Sequence, residues 1–163
     1  MNSSWNIIAE HLRNELQAYG GLLSLFDEQQ ANLLRGDSDA VVAYAREIET
    51  QVEMTVDLRD LREQAVEAFA LESGRPSGTG LKKLIPLFPK DVQPLLTALI
   101  TEINHLIHRV RRGATRNHEM LSCAVDVHRE TLRVLRPSAF IKTYSPQGQV
   151  SMSPSSPAWQ AAG

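Results

Sequence analysis

The chain has 163 residues with a formal net charge of −2, and 42% of its residues are hydrophobic and 22% charged. This length and balance fit one soluble domain, and the small net charge does not favour a general polyanion binder. Aromatic residues make up only 6% of the chain, which argues against a deep pocket lined by rings.

The first predicted helix runs from about residue 4 to residue 34. Ser3 or Ser4 can cap its first turn by accepting a hydrogen bond from a free backbone amide. Its apolar residues recur every three or four positions, which is the spacing of one helix face. They are Ile8, Leu12, Leu16, Tyr19, Leu23 and Phe26. Gly20-Gly21 interrupts this row, and we expect the two glycines to bend or weaken the helix.

The second predicted helix covers residues 38–72 and follows a short corner. In that corner Gly36 suits a left-handed C-terminal cap, and either Asp37 or Asp39 suits the next N-cap. Apolar residues again recur at steps of three and four, at Val41, Ala45, Ile48 and Val52. A helix of this length forms a rod roughly 50 Å long at 1.5 Å per residue.

Residues 73–80 contain three glycines and a proline, and they end the second helix. A short helical segment is predicted over residues 81–87. The last long helix is predicted over residues 90–136 and stops at Pro137. Residues 137–163 are rich in proline and serine, and we expect them to form a flexible tail.

Charge favours pairing of the long helices. Residues 37–72 carry ten acidic and three basic side chains, whereas residues 101–136 carry four acidic and seven basic ones. Helices of opposite charge attract across their rims, modestly at cellular salt. The sequence therefore predicts an all-α protein. Its helical part, residues 1–136, is an elongated antiparallel three-helix bundle resembling a coiled coil, and the flexible tail follows.

No motif in the chain carries catalytic or cofactor chemistry. Glu102 and His105 have the Glu-x-x-His spacing of di-iron bundles, but the step occurs once where such a site needs two. The single cysteine, Cys123, excludes an internal disulfide framework and a cysteine-rich zinc site, and we expect its thiol to be buried. We therefore expect neither an enzyme nor a cofactor nor a bound metal.

A cluster of basic side chains lies in the last long helix. It comprises His105, His108, Arg109, Arg111, Arg112, Arg116 and His118. These side chains could contact phosphate, but no aromatic residue lies among them for stacking on bases. We interpret the cluster as a solvated face opposite the acidic second helix.

Three stretches resemble the FlgN family of flagellar type III export chaperones. The corner at residues 33–40, LLRGDSDA, is similar to the family's apolar–small–Asp corner. Residues 58–63, LRDLRE, resemble its second helix, and residues 143–148, TYSPQG, resemble its Tyr-x-x-x-Gly close. The long last helix with an internal Asn117 also fits. The resemblance covers most of residues 5–150.

The resemblance implies a carrier that holds the C-terminal segments of hook–filament junction proteins and presents them to the export gate. On this view the client docks on an apolar surface of the last helix. The expected client-binding residues are Leu121, Val125, Leu132 and Leu135. Tyr144 matches the family's tail tyrosine and is the expected docking residue for the export gate. The alternative is that Tyr144 caps the end of the bundle with Phe140 and Ile141.

Two further expectations concern partners and location. The chain starts without the basic segment and apolar stretch of a signal peptide, and no window approaches a membrane span, so a cytoplasmic protein is expected. A monomer or weak homodimer, binding neither nucleic acid nor a small-molecule substrate, fits the chaperone interpretation. The competing interpretations are a structural coiled-coil adaptor that dimerises stably through its long helices and a nucleic-acid binder that uses its basic face.

Overall fold

The computed structural model describes residues 4–135 in full and the backbone alone of residues 140–144 and 150–154. The elements are helices α1 (Ser4–Arg35), α2 (Ser38–Glu72), α3 (Leu81–Leu84) and α4 (Gln93–Leu135), and strands β1 (Phe140–Tyr144) and β2 (Val150–Pro154). A 3₁₀ helix, Ile85–Leu87, continues α3. The predominantly helical fold is confirmed. Internal packing divides the chain into two compact units, Met1–His118 and Glu119–Gly163.

Helix α1 runs without interruption through Gly20-Gly21. Whether the two glycines bend or weaken the helix stays a prediction. At Gly21 the helix is closely approached by α2. The Gln51 side chain of α2 donates a hydrogen bond to the Ala18 carbonyl at 2.9 Å. A Cβ atom on Gly21 would lie 3.0 Å from the Gln51 Nε2 atom, so glycine leaves the space that this hydrogen bond needs.

The corner between α1 and α2 has the predicted caps. Gly36 has a φ of 71°, the left-handed conformation that glycine adopts without a Cβ clash. The Asp37 amide donates back to the Asn32 carbonyl at 3.0 Å, which closes the end of α1. The Asp37 carboxylate then accepts from the Ala40 amide at 3.0 Å and caps α2.

Hydrogen bonds and ion pairs show how α2 lies against α1. Gln29 of α1 donates to the Val41 carbonyl near the start of α2, whereas Glu15 of α1 pairs with Arg62 near its end. The order of contacts is reversed, so α2 is antiparallel to α1. At the far end of α1, the Asn117 amide of α4 donates to the Phe26 carbonyl at 2.8 Å.

The apolar core lies in the first unit and draws on all four helices. Its fully buried members include Ile8 and Leu12 of α1, Ala70 of α2, Leu84 of α3 and Leu96 of α4. The short helical segment predicted at 81–87 is thus a core element, which places two leucines, Leu81 and Leu84, inside. The rings of Phe69 and Phe88 stack beside it with their centroids 4.2 Å apart.

Helix α4 begins three residues later than predicted, at Gln93. The Gln93 side chain donates to the Phe88 carbonyl at 2.9 Å, which fixes the approach to the helix. Pro94 follows in the first turn, where a missing backbone amide leaves no hydrogen bond unmade. The turn around Lys90 and Asp91 therefore precedes the helix.

Regular structure continues beyond α4, where a tail without it was predicted. Strands β1 and β2 pair in antiparallel register, with Phe140 opposite Pro154 and Tyr144 opposite Val150. The expectation of a wholly irregular tail is therefore wrong for these ten residues. Phe140, Ile141, Thr143 and Tyr144 are the aromatic and β-branched types that favour strands. The division of the chain at residue 136 stays a prediction.

Candidate partner-binding surface

The four predicted client-binding residues share one face of α4. They follow one another at steps of four, seven and three residues, which keeps them within one stripe of an α-helix. Leu121 is half-buried, while Val125, Leu132 and Leu135 expose 52%, 41% and 72% of their surface. We call these four residues the main apolar row. It extends about 21 Å along the helix.

A second apolar row was not predicted. Val127 and Val134, seven residues apart, expose 61% and 65% of their surface. They lie about 120° round the helix from Leu121, given 3.6 residues per turn. The heptad step between them was readable in the sequence, but the prediction considered only the main row.

Charged side chains fill the remaining sector of this part of α4. Arg133 donates two hydrogen bonds to the Glu130 carboxylate, at 2.6 and 2.9 Å. These bonds lower the pKa of Glu130 below its ordinary value and raise the pKa of Arg133. Both side chains are about half exposed, so the pair contributes little to stability but marks a solvated face. The segment is amphipathic, and among described residues the Glu130–Arg133 pair is its only ion pair.

The lone cysteine lies in the same segment. Cys123 is exposed and free, so the expectation of a buried thiol is wrong. Buried residues of α4 are confined to positions before Glu119, with Asn117 the last of them in the described part of the chain. The Cys123 side chain therefore lies beyond the buried part of α4.

The predicted gate-docking residue, Tyr144, is the last residue of β1. It was expected in a flexible loop, and its place in a paired strand corrects that expectation. Its side chain lies outside the described part of the structure. Whether Tyr144 docks a partner or caps the helices stays a prediction.

The structure also describes the candidate metal ligands and the basic cluster of the last long helix. Glu102 and His105 approach to 4.0 Å on an exposed face, and the described residues contain no group of three or more potential metal ligands. Arg116 of the basic cluster pairs with Asp27 of α1 at 3.5 Å. Among described residues, this is the cluster's one ion pair to another helix, and it goes to α1 and not to the expected α2.

All four helices lie within the part of the chain that matches a known protein family. Residues 1–151 match the family described as FlgN protein. The chain belongs to the FlgN family. Membership implies the role of a flagellar export chaperone, and the family is a chaperone family that is not known as enzymatic. No curated protein and no solved structure matches the chain. In the described part of this FlgN family member, no helix is long and apolar enough to cross a membrane.

Proposed function

We propose that this chain is a cytoplasmic chaperone for flagellar hook–filament junction proteins. It binds their C-terminal segments, prevents their premature assembly and delivers them to the flagellar export gate. The observation that carries the proposal is the main apolar row, which leaves three large apolar side chains of α4 exposed. In this proposal α1, α2 and α4 form an elongated antiparallel three-helix bundle.

The row suits an amphipathic helical client. A client helix in isolation exposes its own apolar stripe, and laying it along α4 would remove both stripes from water. Fully burying one leucine or valine side chain is worth about 1.5–3 kcal/mol. Several such side chains can support a specific complex once the cost of association is met. The solvated Glu130–Arg133 face stays outside the contact.

A matched pair of valines tests the row. Val125 belongs to the main row and Val127 to the second row, and they are similarly exposed at 52% and 61%. Their side chains point about 160° apart. We expect Val125→Glu to weaken binding of a junction protein's C-terminal segment at least about tenfold, because a charge would be buried against an apolar stripe. Val127→Glu should leave the affinity unchanged.

The measurement is calorimetric titration of each variant with the client segment, with circular dichroism as the check on helicity. If both variants lose affinity equally, the client does not distinguish the two rows and the proposed face is wrong. If neither loses affinity, the client binds elsewhere on the chain.

Tyr144 is proposed to dock the loaded chaperone to the cytoplasmic domain of the export gate. A tyrosine anchor in an interface commonly contributes about 2 kcal/mol or more on truncation, roughly thirtyfold in affinity. We expect Tyr144→Ala to weaken gate binding by that factor while client affinity is retained, and Tyr144→Phe to separate the ring from the hydroxyl. A fall in thermal stability without loss of gate binding would support the capping alternative.

The adaptor alternative differs in oligomeric state. A coiled-coil adaptor needs a stable dimer, whereas the chaperone is proposed to be a monomer or weak homodimer without nucleic-acid or small-molecule partners. Sedimentation equilibrium over a hundredfold range of protein concentration would separate them. A dimer that persists at the lowest concentration would favour the adaptor.

A further inference from the structure

A cavity lies within the first unit, and no residue of the main apolar row lines it. It has a volume of about 220 Å³ and is lined by residues of α1, α2, α3 and α4. Its apolar lining includes Leu12 and Ile103, which are both buried. Nothing in the proposed chaperone function uses this cavity.

Four basic side chains from three helices converge on the cavity. They are Arg59 and Arg62 of α2, Lys82 of α3 and Arg111 of α4. A single carboxylate, that of Glu15, also lines it, and Arg62 is bound to that carboxylate at 2.5 Å. The cavity wall therefore carries a clear excess of positive charge.

One exposed carboxylate, that of Glu63, compensates only part of the positive charge on the cavity wall. Arg59 lies 3.9 Å from the Glu63 carboxylate, which also lies 3.7 Å from Arg62, and the Glu63 side chain is 61% exposed. Within the described residues, Lys82 and Arg111 have no ion-pair partner. Like charges gathered on a concave, partly apolar wall focus a positive potential into it.

Tyr19 adds a hydrogen-bond donor at the same place. Tyr19 is buried, with 9% of its surface exposed, and it lines the cavity. Burial and then the charge of Glu15 raise the pKa of the Tyr19 phenol, while Arg59, Arg62 and Arg111 act against that rise. The phenol is thus protonated at neutral pH, and the positive charges of the three arginines act on its oxygen.

We propose that this cavity binds a small oxyanion of the carboxylate or phosphate type. Arg111 and Lys82 supply the free positive charges, and Tyr19 supplies a neutral donor from the buried side. The apolar lining accommodates a short carbon stem on the anion. Such a group could come from a free anion in solution or from an acidic side chain of a bound polypeptide. The inference does not depend on the proposed chaperone function.

Neighbouring residues provide two matched controls. Arg111 lines the cavity and Arg112 does not, and the same holds for Lys82 and Lys83. All four side chains are exposed, so neutralising any of them should leave the core intact. Arg111→Gln and Arg112→Gln remove the same charge from adjacent positions, as do Lys82→Gln and Lys83→Gln.

The experiment follows the Tyr19 ring resonances by NMR while inorganic phosphate, then citrate, is added at constant ionic strength. We expect saturable shifts in the unaltered chain. Affinity should fall about tenfold or more in Arg111→Gln and Lys82→Gln, because a charge-assisted hydrogen bond is lost. It should be unchanged in Arg112→Gln and Lys83→Gln. Equal losses in both members of each pair would overturn the proposal, since they would indicate a general charge effect.

A second titration separates the two sources of the anion. The probe is a short capped peptide with one glutamate between leucines, and its control is the same peptide with glutamine. Binding of the glutamate peptide in preference to phosphate and citrate would assign the site to a polypeptide side chain, and the reverse preference to a free anion. Absence of saturable shifts with all three anionic probes would overturn the proposal.

Discussion

Replacement of Arg62 by methionine is expected to destabilise the first unit more than any other single loss of charge. Arg62 of α2 and Glu15 of α1 form an ion pair across the helices, with Nε and Oε1 at 2.5 Å. The Glu15 side chain is only 1% exposed, and that of Arg62 is 20% exposed. Arg62→Met therefore removes the cation bonded to this buried carboxylate and leaves only the more distant basic side chains of the cavity wall near it.

The burial of the two side chains sets the size of the expected stability loss. Removing one partner of a buried ion pair costs about 3–5 kcal/mol, because the remaining charge is neither solvated nor paired. Water reaches part of the Arg62 guanidinium, which places the expected loss at the lower end, about 3 kcal/mol. For a domain of this size the melting temperature should fall by about 10 °C.

Two further variants make the test decisive, with unfolding followed by circular dichroism in urea and on heating. Arg133→Met removes the cation of the exposed Glu130–Arg133 pair and should not change stability measurably. Glu15→Leu combined with Arg62→Met should recover most of the loss, since apolar residues replace both charges. Equal stability of Arg62→Met and Arg133→Met would contradict this prediction. So would a double variant that is no more stable than Arg62→Met alone.

Three other perturbations have defined outcomes. Asn117→Ala should lower the free energy of unfolding in urea by about 1–3 kcal/mol, because the buried side-chain amide of Asn117 donates to Gln29 Oε1 at 3.1 Å and that acceptor would lose its donor. An unchanged urea midpoint would contradict this. Gly113→Ala should leave the melting temperature nearly unchanged, since the added Cβ would lie 3.4 Å from a side chain of α1. Gly113→Leu should lower the melting temperature, because a larger side chain would be overpacked there. Equal stability of the two variants would argue against close packing at this position. Hydrogen bonds from the Ser77 side chain and the Gly78 amide lower the pKa of Glu67, so the Gly78 amide resonance should titrate with a midpoint below 4.5. The stabilisation by Glu67 is present above the ordinary glutamate pKa and is lost as pH falls through the lowered value; a midpoint at or above 4.5 would remove this contact.

Local signals predicted the helices well. The capping residues Gly36 and Asp37 fixed the first corner to within a residue, because left-handed glycine and a side-chain cap act within one turn. The apolar spacing also identified Ile8, Leu12 and Tyr19 as core residues. These features depend on neighbours in sequence, so a single chain contains the information.

Features set by distant residues could not be predicted. Glu15 follows Leu12 by three positions and precedes Tyr19 by four, so its place on the buried face was readable. Its pairing with Arg62 of α2 depends on the relative height of two helices, which sequence spacing does not give. The same holds for Gly21, whose role is to admit the Gln51 side chain from α2.

The predicted binding surface could be predicted from the sequence in part. The main apolar row from Leu121 to Leu135 followed from helical spacing, and its exposure is confirmed for Val125, Leu132 and Leu135. That exposure could not be deduced from spacing, because a buried seam has the same periodicity. The pairing of β1 with β2 was missed since prolines at positions 146 and 154 outweighed the strand-forming residues between Pro137 and Ser145.

The proposed function requires this chain to carry hook–filament junction proteins by their C-terminal segments. The most direct measurement is the affinity of the full chain for an intact junction protein and for the same protein without its C-terminal segment, by calorimetry under identical conditions. The proposal predicts binding of the intact protein and loss of measurable binding on truncation, with Val125→Glu reproducing the loss from the chaperone side. Equal affinity for the intact and truncated proteins would contradict it.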